Sequence, residues 1–233
     1  MRFHAQTAGS TLTAAQPEVN VVRTTLQALA AVLGGTQSLH TNAYDEALGL
    51  PTSAAATLAL RTQQVLAYES GVADTVDPLA GSYFVEWLTD RIEAAARGLL
   101  AEVDAAGGAV AAVESGLVRR AVEESAYRHA LQVESGEAVV VGVNRFVTDR
   151  EGPAVPVSRA DPAVEEEQAA RLGELRHRRD AAALDAALAE VRRVAAGPGN
   201  LLYPMQAALQ RGATLGEVSG ALVEVFGRYR PGS

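Results

Sequence analysis

The sequence predicts a mixed α/β fold with parallel strands, continued by a mainly helical C-terminal extension. Three observations predict it. Short strand-like stretches alternate with longer stretches of helical periodicity from Met1 to Val76. Polar residues crowd the ends of those stretches, at His4-Ala-Gln-Thr7 and at Thr36-Gln-Ser-Leu-His-Thr-Asn42. From Asp161 onward Ala, Arg and Glu dominate, and helix-start signals replace strand signals.

Met1 to Gly9 reads as a strand carrying polar side chains, with nothing before it, so a chain that begins in the middle of its fold is expected. Val22, Leu26, Leu29 and Leu33 recur at helical spacing and predict a helix over Val19 to Leu33, stopped by Gly34-Gly35. Thr36 to Asn42 is the second strand with its loop. Ala43 to Leu50 reads as a short helical turn, and Pro51-Thr52-Ser53 opens a helix to about Tyr68. Glu69 to Val76 is expected as a third strand, ended by Asp77-Pro78. After Gly81-Ser82-Tyr83 comes a long helix whose Val85, Leu88, Ile92, Leu99 and Val103 share a face, closed by Gly107-Gly108. Two further helices are expected at Ala109 to Glu114 and Arg119 to Glu134, and a strand at Ala138 to Val143. Thr148 to Pro162 shifts to charge, Pro and Ser and reads as a linker. Asp161-Pro162 starts a helical segment reaching Ala196, Gly197-Pro-Gly-Asn200 breaks it, and Thr214-Leu-Gly-Glu217 is a capping box before a last helix.

Composition narrows the function. With 48% hydrophobic residues among 233, the chain can bury an ordinary core and is not globally disordered. The absence of cysteine removes disulfides, thiolate nucleophiles and Cys-ligated metals together. A formal charge of -8, with arginine but no lysine, argues against nucleic-acid binding. No apolar run is long enough for a membrane span and no signal-peptide pattern opens the chain, so no membrane role and a cytoplasmic location are expected.

The candidates for chemistry are few. His129 and His177 lie in charged helical surroundings and read as solvated surface. His4 and His40 lie with Gln, Thr and Asn at strand ends, where parallel folds place working groups, although a structural hydrogen-bonding role fits them equally. Glu46, after the polar Asn42 turn, suits an acceptor for ligand hydroxyls or a charge favoured by a helix start. Glu69 ends a helix, where the dipole disfavours it. Gly34-Gly35-Thr36 lacks the Lys and Gly spacing of phosphate loops, and no His, Asp and Glu spacing fits a metal motif.

Taken together, Arg2-Phe-His-Ala-Gln-Thr-Ala-Gly9, Val22-Arg-Thr24, Gly34 to Asn42, Asp45-Glu-Ala-Leu-Gly-Leu-Pro51 and Asp77-Pro-Leu-Ala-Gly-Ser-Tyr83 resemble the methylmalonyl-CoA mutase family. The likeness continues through Val141-Gly-Val-Asn144 to Thr214-Leu-Gly-Glu217 and covers essentially the whole chain. It implies the C-terminal part of a TIM (β/α)8 barrel, about its last three strands, with a helical extension. The implied division is residues 1–105 partial barrel, 106–147 post-barrel helices and strand, 148–162 linker and 163–233 extension. Gln6-Thr-Ala-Gly-Ser-Thr-Leu-Thr13 looks closer to the large subunits of two-chain acyl-CoA mutases than to single-chain enzymes.

The resemblance further implies an adenosylcobalamin-dependent isomerase of branched acyl-CoA thioesters, with the cofactor shared with a separate cobalamin-binding subunit. Carried over residue by residue, corrin and adenosyl contacts fall on Gly9, Asn42, Glu46 and Gly49, with Asn42 and Glu46 at the ribose. Gln6 and Gln37 line the same cavity, and His4 and Arg2 stand on the substrate side. Ala5 replaces a usual small polar residue, and Val19 the first of two neighbouring Asn residues. The residues nearest the migrating group are expected upstream of Met1, so no catalytic residue is assigned. No Asp-x-His-x-x-Gly motif is present, so no cobalt ligand is expected here. The implied partners are the upstream half of the large subunit, the cobalamin-binding small subunit and the acyl-CoA, and the chain alone is expected to be inactive and poorly soluble. The alternative is a non-catalytic remnant or interaction module that binds a mutase or its chaperone.

Overall fold

A computed structural model describes residues 2–148, 157–158 and 161–229. Two compact units divide the chain, Met1–Arg159 and Ala160–Ser233.

The first unit opens with a βαβ arrangement. β1 (His4–Gln6) pairs in parallel with β2 (Ser38–His40) in the register His4 to Ser38, Ala5 to Leu39 and Gln6 to His40. α1 (Val19–Leu33) makes the crossover between them. Strand alternation places His4, Gln6, Ser38 and His40 on the exposed face, while Ala5 and Leu39 turn to the partly buried one. α2 (Ser53–Tyr68) is capped by the Thr52 side chain, which accepts from the Ala55 N–H. Thr41 Oγ1 donates to the Ala59 carbonyl at 2.7 Å, and Gln63 Nε2 donates to the Leu39 carbonyl at 3.2 Å, so α2 is bonded to the end of β2.

α1 has the expected bounds but a different buried face. Asn20, Thr24 and Ala28 are buried, four residues apart, while Val22 and Leu26 are exposed. Small and polar side chains let the helix approach the loops at Thr13 and Tyr44 closely enough to hydrogen-bond. α3 (Tyr83–Ala105) buries none of its residues: Phe84, Trp87, Ile92 and Leu99 are exposed along it. α4 (Ala109–Glu114) and α5 (Leu117–Ser135) complete the unit, and α5 also buries nothing.

Three expectations fail, each for a local reason. Glu69 to Val76 is not a strand: Glu69 is the C-cap of α2, Gly71 takes φ +69°, and the Ser70 hydroxyl accepts from the Val72 N–H. The expected three strands are therefore two among the described residues. Ala138 to Val143 is not a strand either. The Asn144 amide accepts from the Val140 N–H at 2.8 Å and donates to the carbonyls of Val133 and Ala138, both at 2.7 Å, which wraps the apolar run around one side chain. In the second unit the helix expected from Asp161 to Ala196 is two helices, α6 (Pro162–Arg178) and α7 (Ala181–Ala195). The linker expected at Thr148 to Pro162 falls mostly outside the described residues.

Arg179 and Asp180 are extended between α6 and α7, and Asp180 caps α7 by accepting from the Ala183 N–H at 3.0 Å. α8 (Leu202–Gln210) and α9 (Leu215–Phe226) pack on α7 around Leu184, Leu188, Val191, Ala208, Val218 and Ala221. The Thr214 and Glu217 capping box is present. Arg179 forks onto Glu217 with Nη1 to Oε2 at 2.7 Å and Nη2 to Oε1 at 2.5 Å, and its Nη1 also donates to the Gly212 carbonyl at 2.9 Å. That fork explains the helix break, since the extended backbone at Arg179 lets the guanidinium reach the start of α9.

Candidate functional site

Thr7 directly follows β1 and Asn42 lies just beyond β2, so the parallel pair brings the two loops together. Thr7 Oγ1 donates to Asn42 Oδ1 at 2.6 Å and accepts from the Asn42 N–H at 2.9 Å, with both residues buried. This fixes the Asn42 amide and leaves Nδ2 directed at Gly9. A Cβ built on Gly9 would lie 3.1 Å from Asn42 Nδ2 and 3.5 Å from Glu46 Oε1. Gly9, Asn42 and Glu46, distant in sequence, therefore converge on one small cradle: a glycine floor, an amide donor on one side and a carboxylate acceptor on the other.

The segment holding Asn42 and Glu46 is tied down at further points. The Glu46 N–H donates to the Ala43 carbonyl at 3.1 Å, and the N–H groups of Leu48 and Gly49 donate to the Asp45 carbonyl at 2.8 and 3.2 Å. Asp45 is buried, and its Oδ2 accepts from the Thr52 N–H at 2.9 Å, linking the turn to the start of α2. Its Oδ1 is buried without a hydrogen-bond partner among the described residues. Asn20 reaches the same turn from α1, its Nδ2 donating to the Tyr44 carbonyl at 2.8 Å.

The other sequence candidates divide. His4 Nδ1 lies 2.6 Å from Ser38 Oγ across the sheet, on the exposed face that also carries Gln6 and His40. Arg2 is exposed, and by the two-residue period of an extended chain it continues that face. Gln37 plays a structural part. Its Oε1 accepts from the Phe3 N–H at 2.7 Å and its Nε2 donates to the Gly35 carbonyl at 2.5 Å, extending the strand pairing by one residue. Gly49 lies apart from the Gly9 floor, where a Cβ would meet Val157 Cγ1 at 2.9 Å. Glu69 is exposed at the end of α2. Sequence reasoning singles out neither Thr7 nor Asn20. Thr7 carries the weak signal of a hydroxyl two residues before a glycine at a strand end; Asn20, inside a helix, carries only the indirect signal that it is the second of the two neighbouring Asn positions of the resemblance, the first being Val19 here.

Among the described residues, no three His, Asp or Glu side chains gather as a metal-binding group. An apolar groove of about 730 Å³ lies between α3 and α5, lined by Leu99, Val103, Val118, Val122 and His129 among others. Its lining also carries Ser10, Glu102 and Ser125 but is mainly apolar, whereas the cradle sets a donor and an acceptor face to face and is the candidate site.

The chain has clear relatives among known proteins. The family model described as methylmalonyl-CoA mutase matches residues 1–228. The chain is 46% identical over 231 residues to the 2-hydroxyisobutanoyl-CoA mutase large subunit of Aquincola tertiaricarbonis, which covers 99% of this chain and 41% of the relative. It is 47% identical over 229 residues to the methylmalonyl-CoA mutase of Escherichia coli (strain K12), 98% of this chain and 32% of that protein. The enzyme of the same name from Cereibacter sphaeroides is 47% identical over 230 residues, again 32% of its length. The chain thus spans between about a third and two fifths of the length of these relatives.

Proposed function

The chain belongs to the methylmalonyl-CoA mutase family, and on that premise we propose that it forms part of the barrel wall of an adenosylcobalamin-dependent acyl-CoA mutase and holds the nucleoside end of the cofactor. In this reading β1 and β2 are two neighbouring barrel strands, and the exposed face of His4, Gln6, Ser38 and His40 is the inward one. The remaining strands come from the upstream half of the large subunit, and a cobalamin-binding small subunit closes the assembly.

The observation that carries the proposal is the convergence of Gly9, Asn42 and Glu46. Gly9 needs no special backbone conformation, and any side chain there would crowd the Asn42 amide. The space it leaves is bounded by one N–H donor and one carboxylate acceptor, the pair that a sugar hydroxyl satisfies by accepting from Asn42 and donating to Glu46. When bound, adenosylcobalamin supplies the radical that takes hydrogen from the acyl-CoA. The chain's own residues orient and shield. Asn42, pinned by Thr7, fixes the ribose; Glu46 adds a charge-assisted acceptor; the Ser38 hydroxyl, 2.6 Å from His4 Nδ1, holds the imidazole on the substrate side. Arg2 and Gln6 extend that polar lining.

The relatives' names divide over the acyl group, methylmalonyl in two and 2-hydroxyisobutanoyl in the other, at nearly equal identity. The substrate class is therefore a branched acyl-CoA. The test is co-expression with an upstream large-subunit half and a cobalamin-binding subunit, then assay with methylmalonyl-CoA, isobutyryl-CoA and 2-hydroxyisobutyryl-CoA. Isomerisation of one thioester that requires all three chains and adenosylcobalamin is expected. An assembled complex that neither binds the cofactor nor turns over any of them overturns the proposal.

A further inference from the structure

We infer that Asn20, which lies on α1 outside the cradle, is a positioning residue that sets the placement of the Asn42 to Glu46 turn and thereby the grip on the adenosyl ribose; this rests on the cofactor reading above. Asn20 is fully buried and all four of its hydrogen-bonding positions are used. Nδ2 donates to the carbonyls of Tyr44 at 2.8 Å and Thr13 at 2.9 Å. Oδ1 accepts from the Thr13 N–H at 3.1 Å and from Arg23 Nη1 at 2.8 Å. Tyr44 stands midway between Asn42 and Glu46, so the bond to its carbonyl fixes the centre of the segment whose ends make the cradle.

Three side chains anchor that segment: Thr7 at Asn42, Asn20 at Tyr44 and Asp45 at Thr52. Thr7 bonds the cradle amide itself, and Asp45 ties the turn to its own following helix. Only Asn20 among these holds it from α1, and its orientation is set in turn by Arg23. The Arg23 guanidinium bonds Asn20 Oδ1, Thr13 Oγ1 at 3.2 Å and, through Nη2, the Val141 carbonyl at 2.7 Å. A chain of three hydrogen bonds therefore runs from the Val141 turn through Arg23 and Asn20 to the backbone between the two ribose-facing residues. A buried amide with every position satisfied tolerates one orientation, which gives the turn one height above the Gly9 floor.

Asn20→Asp isolates the link. The change is isosteric and keeps the acceptor toward Thr13 and Arg23, but it sets an oxygen against the carbonyls of Tyr44 and Thr13. The experiment compares the variant and wild type in the complex of this chain with the upstream half and the small subunit, titrating adenosylcobalamin and, separately, hydroxocobalamin, which lacks the adenosyl group. Expected is a roughly tenfold weaker dissociation constant for adenosylcobalamin with hydroxocobalamin unchanged within about twofold. A purely structural role moves both affinities together. Should Asn20→Asp fail to assemble, Arg23→Met carries the test, leaving the amide in place and expected to weaken adenosylcobalamin selectively by about threefold. Equal loss for both forms, or no loss for either, overturns the positioning role while leaving the cofactor reading intact. A wild-type complex that takes up neither form overturns the cofactor reading and this inference with it.

Discussion

Gly9→Ala separates the site from the fold. Gly9 is absent from the positive-φ glycines, so alanine fits its backbone without strain, and replacing a flexible residue there stabilises the folded state by roughly 0.4–1 kcal/mol through the unfolded chain. The added methyl would sit 3.1 Å from Asn42 Nδ2, 3.5 Å from Glu46 Oε1 and 3.6 Å from Glu46 Cγ. Glu46 is exposed and can swing away; Asn42 is buried and clamped to Thr7 at 2.6 Å, so it cannot move without stretching that bond. Overpacking of this kind costs about 1–3 kcal/mol, part of it within the unliganded protein at Asn42 and the rest against whatever occupies the cradle. The expected result is a loss of adenosylcobalamin affinity of roughly 10- to 100-fold in the assembled complex, read by absorbance titration. The unfolded-state gain offsets part of the crowding at Asn42, so the melting temperature should fall by no more than a few degrees. Gly35→Ala is the contrasting control: Gly35 has φ +79° and open space around its Cβ position, so it should lower stability and leave affinity alone. Wild-type affinity in Gly9→Ala, or a fall in affinity that merely tracks a fall in melting temperature, would refute the cradle.

Other expectations test other parts of the molecule. Glu217 is held down to about 2, below its ordinary 4.5, first by the Arg179 fork and further by the Thr214 backbone and hydroxyl, against an opposing push from burial. A carboxyl depressed on folding stabilises above the unfolded value, so its contribution is complete above about pH 4.5 and drains away as pH falls toward 2. Glu217→Gln should therefore cost roughly 1–2 kcal/mol at pH 7 and almost nothing near pH 2, followed by urea denaturation of the second unit; an equal cost at both pH values contradicts the ion-pair account. Asn144→Ala removes three bonds that shape the segment from Ala138 to Asn144, and should raise amide hydrogen exchange at Val140 by roughly one to two orders of magnitude, corresponding to about 1–3 kcal/mol of local stability. Trp87 is the chain's single tryptophan and is exposed on the uncovered face of α3, so its fluorescence should shift to the blue when the upstream half is added; an unchanged spectrum in an active complex means that this face stays in solvent.

Helices are legible because their signals are local. The Asp161, Asp180 and Thr214 caps all hold in the structure, yet only the first and last stand out in the sequence, because Asp180 sits inside a run of Ala, Arg and Glu that continues the helical pattern on either side. What breaks that run is Arg179 meeting Glu217, a contact across 38 residues that no window of sequence contains. The two failed strands have the same origin. Ala138 to Val143 is apolar and β-branched, the composition of a buried strand, but a single asparagine beyond its end supplies the partners that a ladder would have supplied. Glu69 to Val76 has two valines among polar and glycine residues, and alternation that sparse does not outweigh the φ +69° turn at Gly71.

The uncovered faces show how far a helical pattern alone can be trusted. The spacing of Val22 and Leu26 on α1, and of the stripe from Val85 to Val103 on α3, is regular, yet within this chain Val22, Leu26, Leu88, Ile92 and Leu99 face outward. Periodicity reports that a face is built for burial, not what buries it, and each large apolar side chain left in water forgoes roughly 1.5–3 kcal/mol. The cradle inverts the situation. The residues proposed to face a ligand are legible through resemblance, whereas the bonds by which Thr7 and Asn20 hold them become visible only when the strand register and the crossover helix bring them within hydrogen-bonding distance of Asn42 and Tyr44. Sequence marks the groups that touch a ligand by their type. The groups that aim them differ from ordinary buried polar residues only in where the backbone carries them, so a variant such as Asn20→Asp distinguishes them and inspection of the chain does not.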